Sequence, residues 1–229
     1  MPIINDDEFG KIVVRRSGRT KQLRLRVAPD GSLRASIPLY APTLLLKRLI
    51  TSSRPELRQM IEDAQPTMHY SNGQQIGKSH TLVVVQGTPL SVTRRKQHII
   101  VTLPPSADLD DNIVMRKIRE ACIVALRLEA KSYLPKRIAY LANQLGYSFT
   151  SVRFSHASSR WGSCSTNGTI SLNIALMKLP FEIIDYVLIH ELSHTVQMNH
   201  SPLFWKLVEK GDPHFIEHRR QLKQSTPSI

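Results

Sequence analysis

Apolar and polar residues alternate with a period of two through much of the N-terminal half, which predicts β-strands there. The alternation runs through residues 11–40, with a Leu-Arg-Leu-Arg-Val stretch that begins at Leu23, and it returns at 80–103. One face of the first stretch should therefore be apolar and the other basic. A Pro-Asp-Gly triplet at 29–31 predicts a hairpin turn. Residues 42–63, between the two stretches, show helical spacing.

Helical periodicity dominates the C-terminal half. It predicts helices over residues 112–145, 180–198 and 202–211. Gly146 follows the first of these helices and is a typical C-terminal stop. Ser201 precedes the last helix, where its hydroxyl can cap the first turn. A helix start at Ser201 implies that the preceding helix ends shortly before this residue.

These patterns predict an α+β protein. Residues 104–111 are polar and rich in Pro and Asp, which marks a boundary. We therefore expect a β-rich, basic N-terminal region over residues 1–106 and a second domain over 107–229. Within the second domain an Asn-Gly pair at 167–168 predicts a hairpin. Residues 169–176 would then form the strand nearest the helix at 180–198, as an edge able to hold an extended peptide.

Composition narrows the class of protein. The chain has 229 residues and is 41% hydrophobic, which is enough for a substantial core. Its net charge of +13 makes nucleic acid or a nucleotide a candidate partner through a basic surface, although a solvated basic surface is the simpler alternative. The two cysteines imply no disulfide framework. The N-terminus lacks an apolar segment and no apolar run could span a bilayer, so we expect a cytoplasmic protein without membrane association.

The strongest chemical signal is HExxH within the sequence HELSHTVQMNH. His190 and His194 are four residues apart, so on a helix both imidazoles lie on one face and can bind one metal ion. Glu191 lies beside the first ligand, where a carboxylate can act as general base on water. The alternative is a partly exposed helix whose histidines have ordinary polar partners.

A catalytic zinc needs a third protein ligand, and His200 is the leading candidate. In an unbroken helix, its offset of six residues from His194 would direct it away from the site. The chain must therefore turn between them, and Asn199 is the predicted turn residue because Asn tolerates a left-handed conformation. Glu209 on the following helix is the alternative ligand.

Further side chains are candidates for contacts with substrate or with the oxyanion that forms during hydrolysis. They are Arg160, Tyr186, His156 and Asn173, of which Tyr186 could equally be a core aromatic and Asn173 a turn cap. Asp185 could orient a ligand or pair with a surface base. Arg160 and Trp161 could stack, and Gly162 would allow a close approach of the backbone. Cys164 is expected to be a small buried residue rather than a ligand.

Four segments resemble the YgjP-like metallopeptidase family of bacteria and archaea. They are SRWGSCSTNGTISLN, LPFEIIDYVLIHELSHTVQMNHSPLFW, PHFIEHRRQLK and the N-terminal VVRRSGRTKQLRLRVAPDGSLRASIP. The resemblance implies a C-terminal core similar to SprT-like and other minimal zincins, with HExxH on the active-site helix. It also implies Zn²⁺ bound by His190, His194 and His200, with Glu191 catalytic.

Three functions follow from these features. The leading hypothesis is a zinc metallopeptidase acting on a peptide or protein substrate. The second is a metal-dependent nucleotide phosphohydrolase of the pyrophosphatase type. The third is a nucleic-acid-associated protein with a structural zinc, which would require four protein ligands. The sequence specifies no oligomeric state.

Overall fold

The computed structural model describes residues 2–27, 33–64 and 69–229. Contacts between Cα atoms divide the chain into two compact units, Met1–Met68 and His69–Ile229. The division differs from the boundary predicted near residue 106, which falls inside the second unit. The predicted α+β class is confirmed, since both units combine strands with helices.

The first unit is a sheet covered by apolar helix residues. Its strands are β1 (Ile3–Asp6), β2 (Gly10–Ser17), β3 (Arg24–Val27) and β4 (Leu33–Pro38), in the order β1-β2-β4-β3. Strands β2 and β4 are parallel, whereas the other two pairs are antiparallel. Helices α1 (Thr43–Ser52) and α2 (Arg54–Ala64) follow. The predicted helical segment is therefore two helices that meet at Ser53.

The alternation in this unit produces the expected faces. Ile12 and Val14 of β2 are buried, as are Leu33, Ala35 and Ile37 of β4, and Leu46 of α1 packs in the same cluster. Arg24 and Arg26 of β3 are exposed. The hairpin turn predicted at 29–31 lies outside the described residues.

The second unit contains two small sheets and the longest helix. Strands β5 (Thr81–Gln86), β6 (Ser91–Arg95) and β7 (His98–Leu103) form one sheet, in the order β5-β7-β6. Helix α3 (Asn112–Leu145) follows and ends at Gly146, which is left-handed with φ of 73°, as the sequence predicted. Buried Ile118, Leu126 and Leu134 recur along α3 at helical spacing. Helix α3 therefore forms the apolar scaffold of this unit.

A buried carboxylate on α3 explains why β5–β7 belong to this unit rather than to the first. Glu129 accepts hydrogen bonds from the backbone N–H groups of Lys78 (2.6 Å), Ser79 (2.9 Å) and His80 (3.0 Å). The Nδ1 atom of His80 lies 2.6 Å from the same carboxylate. Burial alone would raise the pKa of Glu129, but these hydrogen bonds hold it below its ordinary value. The polar break at 104–111 is thus a loop within one unit.

The second sheet positions the histidine helix. Its strands are β8 (Ser151–Ser155), β9 (Gly162–Cys164) and β10 (Thr169–Asn173), in the order β8-β10-β9. Strand β10 is parallel to β8 and antiparallel to β9. A 3₁₀ turn (Ile174–Lys178) and helices α4 (Phe181–Ser193), α5 (Pro202–Gly211) and α6 (Phe215–Lys223) complete the chain.

The edge strand beside α4 is not the predicted one. Residues 169–176 were expected to form that edge, but β10 ends at Asn173 and is the central strand. Ile170 and Leu172 of β10 are 0% exposed, as befits a strand with neighbours on both sides. The edge is the short strand β9, which the Asn-Gly turn joins to β10 through left-handed Gly168 (φ 75°).

None of the helices in the described residues combines the length and the apolar character needed to cross a bilayer, and this includes α3.

We predict that Glu129→Ala lowers the free energy of unfolding of the second unit by about 3 kcal/mol, because it leaves buried N–H groups without an acceptor. Both tryptophans of the chain, Trp161 and Trp205, lie in this unit. Urea unfolding followed by tryptophan fluorescence therefore reports on it alone. Glu120→Ala, at an exposed position of the same helix, is the control and should change stability by less than about 0.5 kcal/mol. Equal effects of the two variants would contradict the assigned role.

Candidate metal centre

Helix α4 carries the HExxH sequence, and most of its residues are buried. Ile183, Ile184, Val187 and Leu188 are at most 3% exposed. The helix ends at Ser193, so His194 is its C-terminal cap. The sequence had predicted a helix up to residue 198.

Local hydrogen bonds end α4 early. The Ser193 hydroxyl donates to Ile189 O (2.8 Å) and the Thr195 hydroxyl donates to Leu192 O (2.8 Å), which occupies carbonyls near the helix end. The N–H groups of Thr195 and Val196 donate to the carbonyls three residues earlier, Leu192 O (2.9 Å) and Ser193 O (3.1 Å), which tightens the chain into a turn. Side-chain hydrogen bonds of this kind compete with the helix.

The predicted role of Asn199 needs correction. Among described residues other than glycine, only Lys96 has a positive φ, so Asn199 is not left-handed. Its side-chain oxygen instead accepts from Gln197 Nε2 (2.7 Å) and from the N–H of Ser201 (3.3 Å). Ser201 caps α5 as predicted, with its hydroxyl accepting from the N–H of Phe204. Asn199 therefore braces the turn through its side chain rather than through its backbone conformation.

The turn brings the three predicted ligands together. One ring nitrogen from each of His190, His194 and His200 lies within 4.8 Å of the other two. The Nε2 atoms of His190 and His200 are 3.2 Å apart. Two nitrogens bound at about 2.0–2.1 Å to a tetrahedral zinc would be about 3.3 Å apart. The spacing of this pair is therefore already that of two ligands on one ion.

The tautomer of His194 also suits metal binding. Its Nδ1 atom lies 3.2 Å from Gln197 O. A carbonyl oxygen can only accept, so Nδ1 carries the proton and Nε2 presents its lone pair to the site. Such a bond to the distal nitrogen is the usual way in which a protein orients a metal-binding imidazole.

Burial keeps the histidines in the form that binds a metal. Burial lowers the pKa of His190 to about 3, and repulsion from the neighbouring imidazoles and Arg219 adds to the effect. The pKa of His194 is lowered chiefly by burial as well. Neutral imidazoles are the ligands that zinc accepts, so at neutral pH no proton competes for these two nitrogens. The residues present therefore fit a zinc ion.

An aromatic wall on α5 fixes the rings. Phe204, which is 0% exposed, stacks on His194 with ring centroids 4.4 Å apart. Trp205 stacks on His200 at 5.6 Å and on Phe215 at 5.7 Å. Although His200 is exposed, its ring is thus supported on one face. Helix α5 contributes the support and not a ligand, because the alternative candidate Glu209 is exposed and lies outside the cluster.

Glu191 is 5% exposed and packs against the backbone of strand β9. A Cβ atom at Gly162 would lie 2.5 Å from Glu191 Oε1, so only glycine fits, and the predicted close approach of the backbone at Gly162 is confirmed. Burial raises the pKa of Glu191 to about 8, and the charge of Arg160 acts in the opposite direction. A bound cation would lower this pKa further.

One oxygen of this carboxylate has no protein partner. Glu191 Oε2 is buried and makes no hydrogen bond to any of the described residues. Buried polar atoms are nearly always paired, and exceptions are common at functional sites. The oxygen is therefore placed to interact with water or substrate rather than with the fold.

The candidate oxyanion residues are placed differently. Tyr186 lines the cleft that contains His190 and Glu191, and its ring centroid is 6.0 Å from that of His190. Burial raises the pKa of Tyr186 to about 12, so its hydroxyl keeps its proton. Arg160 is exposed and close enough to Glu191 to affect its pKa. His156 is exposed, and it is absent from the residues that line this cleft.

Asn173 has a structural position instead. It is 0% exposed, and its Nδ2 donates to Ala157 O (2.6 Å) and Arg160 O (3.0 Å). Its Oδ1 accepts from the N–H of Ala175 (3.0 Å). With every polar group of its amide in use, Asn173 caps the 3₁₀ turn and holds the loop before β9, and this placement gives no support to a substrate contact.

The structure also bears on the expectations for Asp185, Cys164 and the Arg160–Trp161 pair. Asp185 pairs with Arg137 through two hydrogen bonds, at 2.8 and 2.6 Å, so it pairs with a base and orients no ligand. Cys164 is half-buried and lies outside the histidine cluster. The proposed stacking of Arg160 on Trp161 is absent from the cation–π contacts of the described residues, where Arg219 lies over Trp205 instead.

The contribution of α6 was not predicted. Leu222 lines the cleft together with Glu191, and Arg219 lies near His190 and Tyr186. His218 Nδ1 lies 2.7 Å from buried Asp212, which anchors α6 beside α4. The one sequence signal for this packing is the amphipathic pattern of α6, which indicates that one face of the helix packs against the protein.

A helix with HExxH, three converging imidazoles and one buried carboxylate without a partner together define a metal-dependent, peptidase-like hydrolase. A family model described as YgjP-like, metallopeptidase domain, matches residues 21–225. The chain therefore belongs to the YgjP-like metallopeptidase family.

No curated protein matches the chain. The crystal structure of the metallopeptidase zymogen of Pyrococcus abyssi abylysin is similar, with 30% sequence identity, over 39% of this chain and 91% of that chain. The TM-score of that match is 0.37.

We predict that His200→Ala weakens zinc binding at least about 100-fold, because a site with two protein ligands replaces one with three. Competition with a chromophoric chelator measures the dissociation constant. His98→Ala, which removes an exposed imidazole from β7, is the matched control and should leave the affinity unchanged. An unchanged affinity in His200→Ala would remove His200 from the ligand set.

Proposed function

We propose that this chain is a zinc-dependent peptidase that hydrolyses peptide bonds with water as the nucleophile. The observation that carries the proposal is the convergence of three imidazole nitrogens within 4.8 Å beside the buried carboxylate of Glu191. Three imidazoles are a ligand set that suits zinc and would leave one coordination position for water or substrate. That open position distinguishes a catalytic site from a structural one.

When bound, zinc would act as a Lewis acid on water and on the substrate carbonyl. Glu191 would then take the proton. As the water oxygen attacks the carbonyl carbon, the Glu191 carboxylate accepts one proton from that water. The same proton is delivered to the amide nitrogen while the C–N bond breaks, which gives an amine and a carboxylic acid; the acid then releases the second proton of the water to solvent and leaves as a carboxylate. The Tyr186 hydroxyl, protonated at neutral pH, is a donor for the developing oxyanion.

Strand β9 supports a peptide as the substrate. Ser163 of β9 pairs with Ser171 of β10. The residues two positions to either side, Trp161 and Ser165, each make a backbone hydrogen bond towards β10, to Asn173 and Thr169 respectively. In an antiparallel ladder, alternate residues direct their N–H and C=O groups away from the partner. Gly162 and Cys164 therefore present backbone groups at the free edge of the sheet, beside Glu191. An extended peptide could add there as a further strand.

The competing functions have less support. A structural zinc site needs four protein ligands, whereas the cluster found among the described residues has three. Nucleotide hydrolysis remains a prediction based on basic charge and the metal site, and no contact in the site favours it over peptide hydrolysis. Membership of a metallopeptidase family supports the peptidase.

We predict that Glu191→Gln keeps zinc bound and lowers kcat at least about 100-fold, because the amide cannot accept a proton from water. Hydrolysis of a fluorogenic peptide library by the zinc-loaded protein provides the assay, and metal content is measured on the same sample. Exposed Glu120→Gln is the control. Turnover by Glu191→Gln equal to that of the parent protein would refute the assigned base.

We predict that Gly162→Ala lowers kcat roughly 10- to 100-fold with little change in zinc affinity, because the added methyl group displaces the Glu191 carboxylate. Gly18→Ala, where an added Cβ meets no atom within 4 Å, is the control and should retain full activity. If Gly162→Ala hydrolysed peptides as fast as the control, the position of Glu191 against β9 would not matter for catalysis.

A further inference from the structure

A second hollow continues from the metal cleft. The cleft itself has a volume of about 170 Å³ and is lined by His190 and Glu191 together with Trp161, Tyr186 and Leu222. The neighbouring hollow, of about 480 Å³, is also lined by Trp161, Tyr186 and Leu222. The two spaces therefore share a wall, and a chain bound across the metal cleft can extend into the larger one.

The larger hollow differs from the cleft in charge. Arg219 and Lys223 line it from α6, four residues apart and so on one face of that helix. Ser158, Ser159, Ser225 and Thr226, which carry hydroxyl groups, line it as well, together with Trp161, Tyr186, Leu222 and Pro227, and no carboxylate is present among its lining residues. We call the two basic residues and the four serine and threonine residues the anion subsite.

The cations of the anion subsite are available to a ligand. Both side chains are exposed, and no ion pair between described residues involves either of them. The Arg219 guanidinium lies 4.5 Å from the centroid of the Trp205 ring, which restrains it without neutralising it. Arg219 lines the hollow together with Tyr186, which also lines the metal cleft, so the guanidinium lies near the reacting centre.

We propose that the anion subsite binds a carboxylate of the peptide substrate, through Arg219 and Lys223, close to the scissile bond. A guanidinium matches a carboxylate with two parallel N–H···O bonds, while an ammonium adds a second positive charge and the hydroxyls add donors. The carboxylate belongs either to an acidic side chain or to the C-terminus of the substrate, because both offer the same chemistry. This inference rests on the proposed peptidase function and specifies its substrate class.

Binding tests the subsite independently of turnover. The probe is a set of alanine-based octapeptides, labelled with fluorescein at the N-terminus and amidated at the C-terminus, each with Glu, Gln or Lys at one position. A second pair has only neutral side chains and either a free or an amidated C-terminus. Fluorescence anisotropy with the zinc-loaded Glu191→Gln full chain gives the dissociation constants, and turnover is measured in parallel with Glu191 intact.

We expect Glu to bind about threefold or more tightly than Gln at one position, or the free C-terminus more tightly than the amidated one. The preference should disappear when Arg219→Gln and Lys223→Gln are combined. It should persist in Arg220→Gln, which removes the same charge from the adjacent, exposed position of α6 outside the hollow. Combining Arg219→Glu with Lys223→Glu should transfer the preference to peptides with Lys at that position.

Several results would overturn the subsite. The proposal fails if the parent protein binds no peptide or binds all of them with equal affinity. It also fails if the preference survives in the combined Gln variant, or if Arg220→Gln abolishes it equally. The proposed function fails separately. Absence of turnover with an intact affinity ratio would reject the peptidase and retain the subsite, whereas turnover with a ratio of one would reject the subsite alone.

Discussion

Because α4 ends at Ser193, the chain can reverse within a few residues and return His200 to the imidazoles of α4. A helix that continued through His200 would direct that ring away from the other two. The turn depends on short polar contacts, chiefly the hydroxyl of Ser193 and the side chain of Asn199. The ligand cluster and the support from α5 both require this early end to the helix.

The same region places unusual electrostatic demands on the fold. A charged carboxylate or imidazolium is unfavourable in an apolar interior. Burial therefore raises the pKa of Glu191 and lowers that of His190, and both shifts favour the neutral form of the side chain. A bound cation would stabilise the charged carboxylate electrostatically and would be coordinated by the ring nitrogens. Gly162 completes the arrangement, because its missing side chain allows the carboxylate to pack against an edge strand whose outer backbone groups are available. The carboxylate proposed as the base and the strand edge proposed to hold the peptide are thus adjacent for one steric reason.

Local signals allowed much of this to be predicted from sequence. Helix geometry sufficed to predict that His190 and His194 share a face, that Ser201 caps a new helix, and that the chain must turn before His200. The position of the turn did not, because residues 194–198 have no strong helix breaker and the early end arises from side-chain hydrogen bonds. The packing of residues 78–80 against α3 was not predicted for a related reason, since their hydrogen bonds to Glu129 join segments that are about fifty positions apart. The roles of Asn173 and α6 likewise depend on long-range packing.

The central claim is that three imidazoles and no other protein group bind one catalytic zinc. X-ray absorption spectroscopy of the zinc-loaded chain measures the number and type of coordinating atoms directly. We expect three imidazole nitrogens and one oxygen at about 2.0–2.1 Å. A fourth protein ligand, a sulfur scatterer, or only two imidazoles would contradict the site described by His190, His194 and His200.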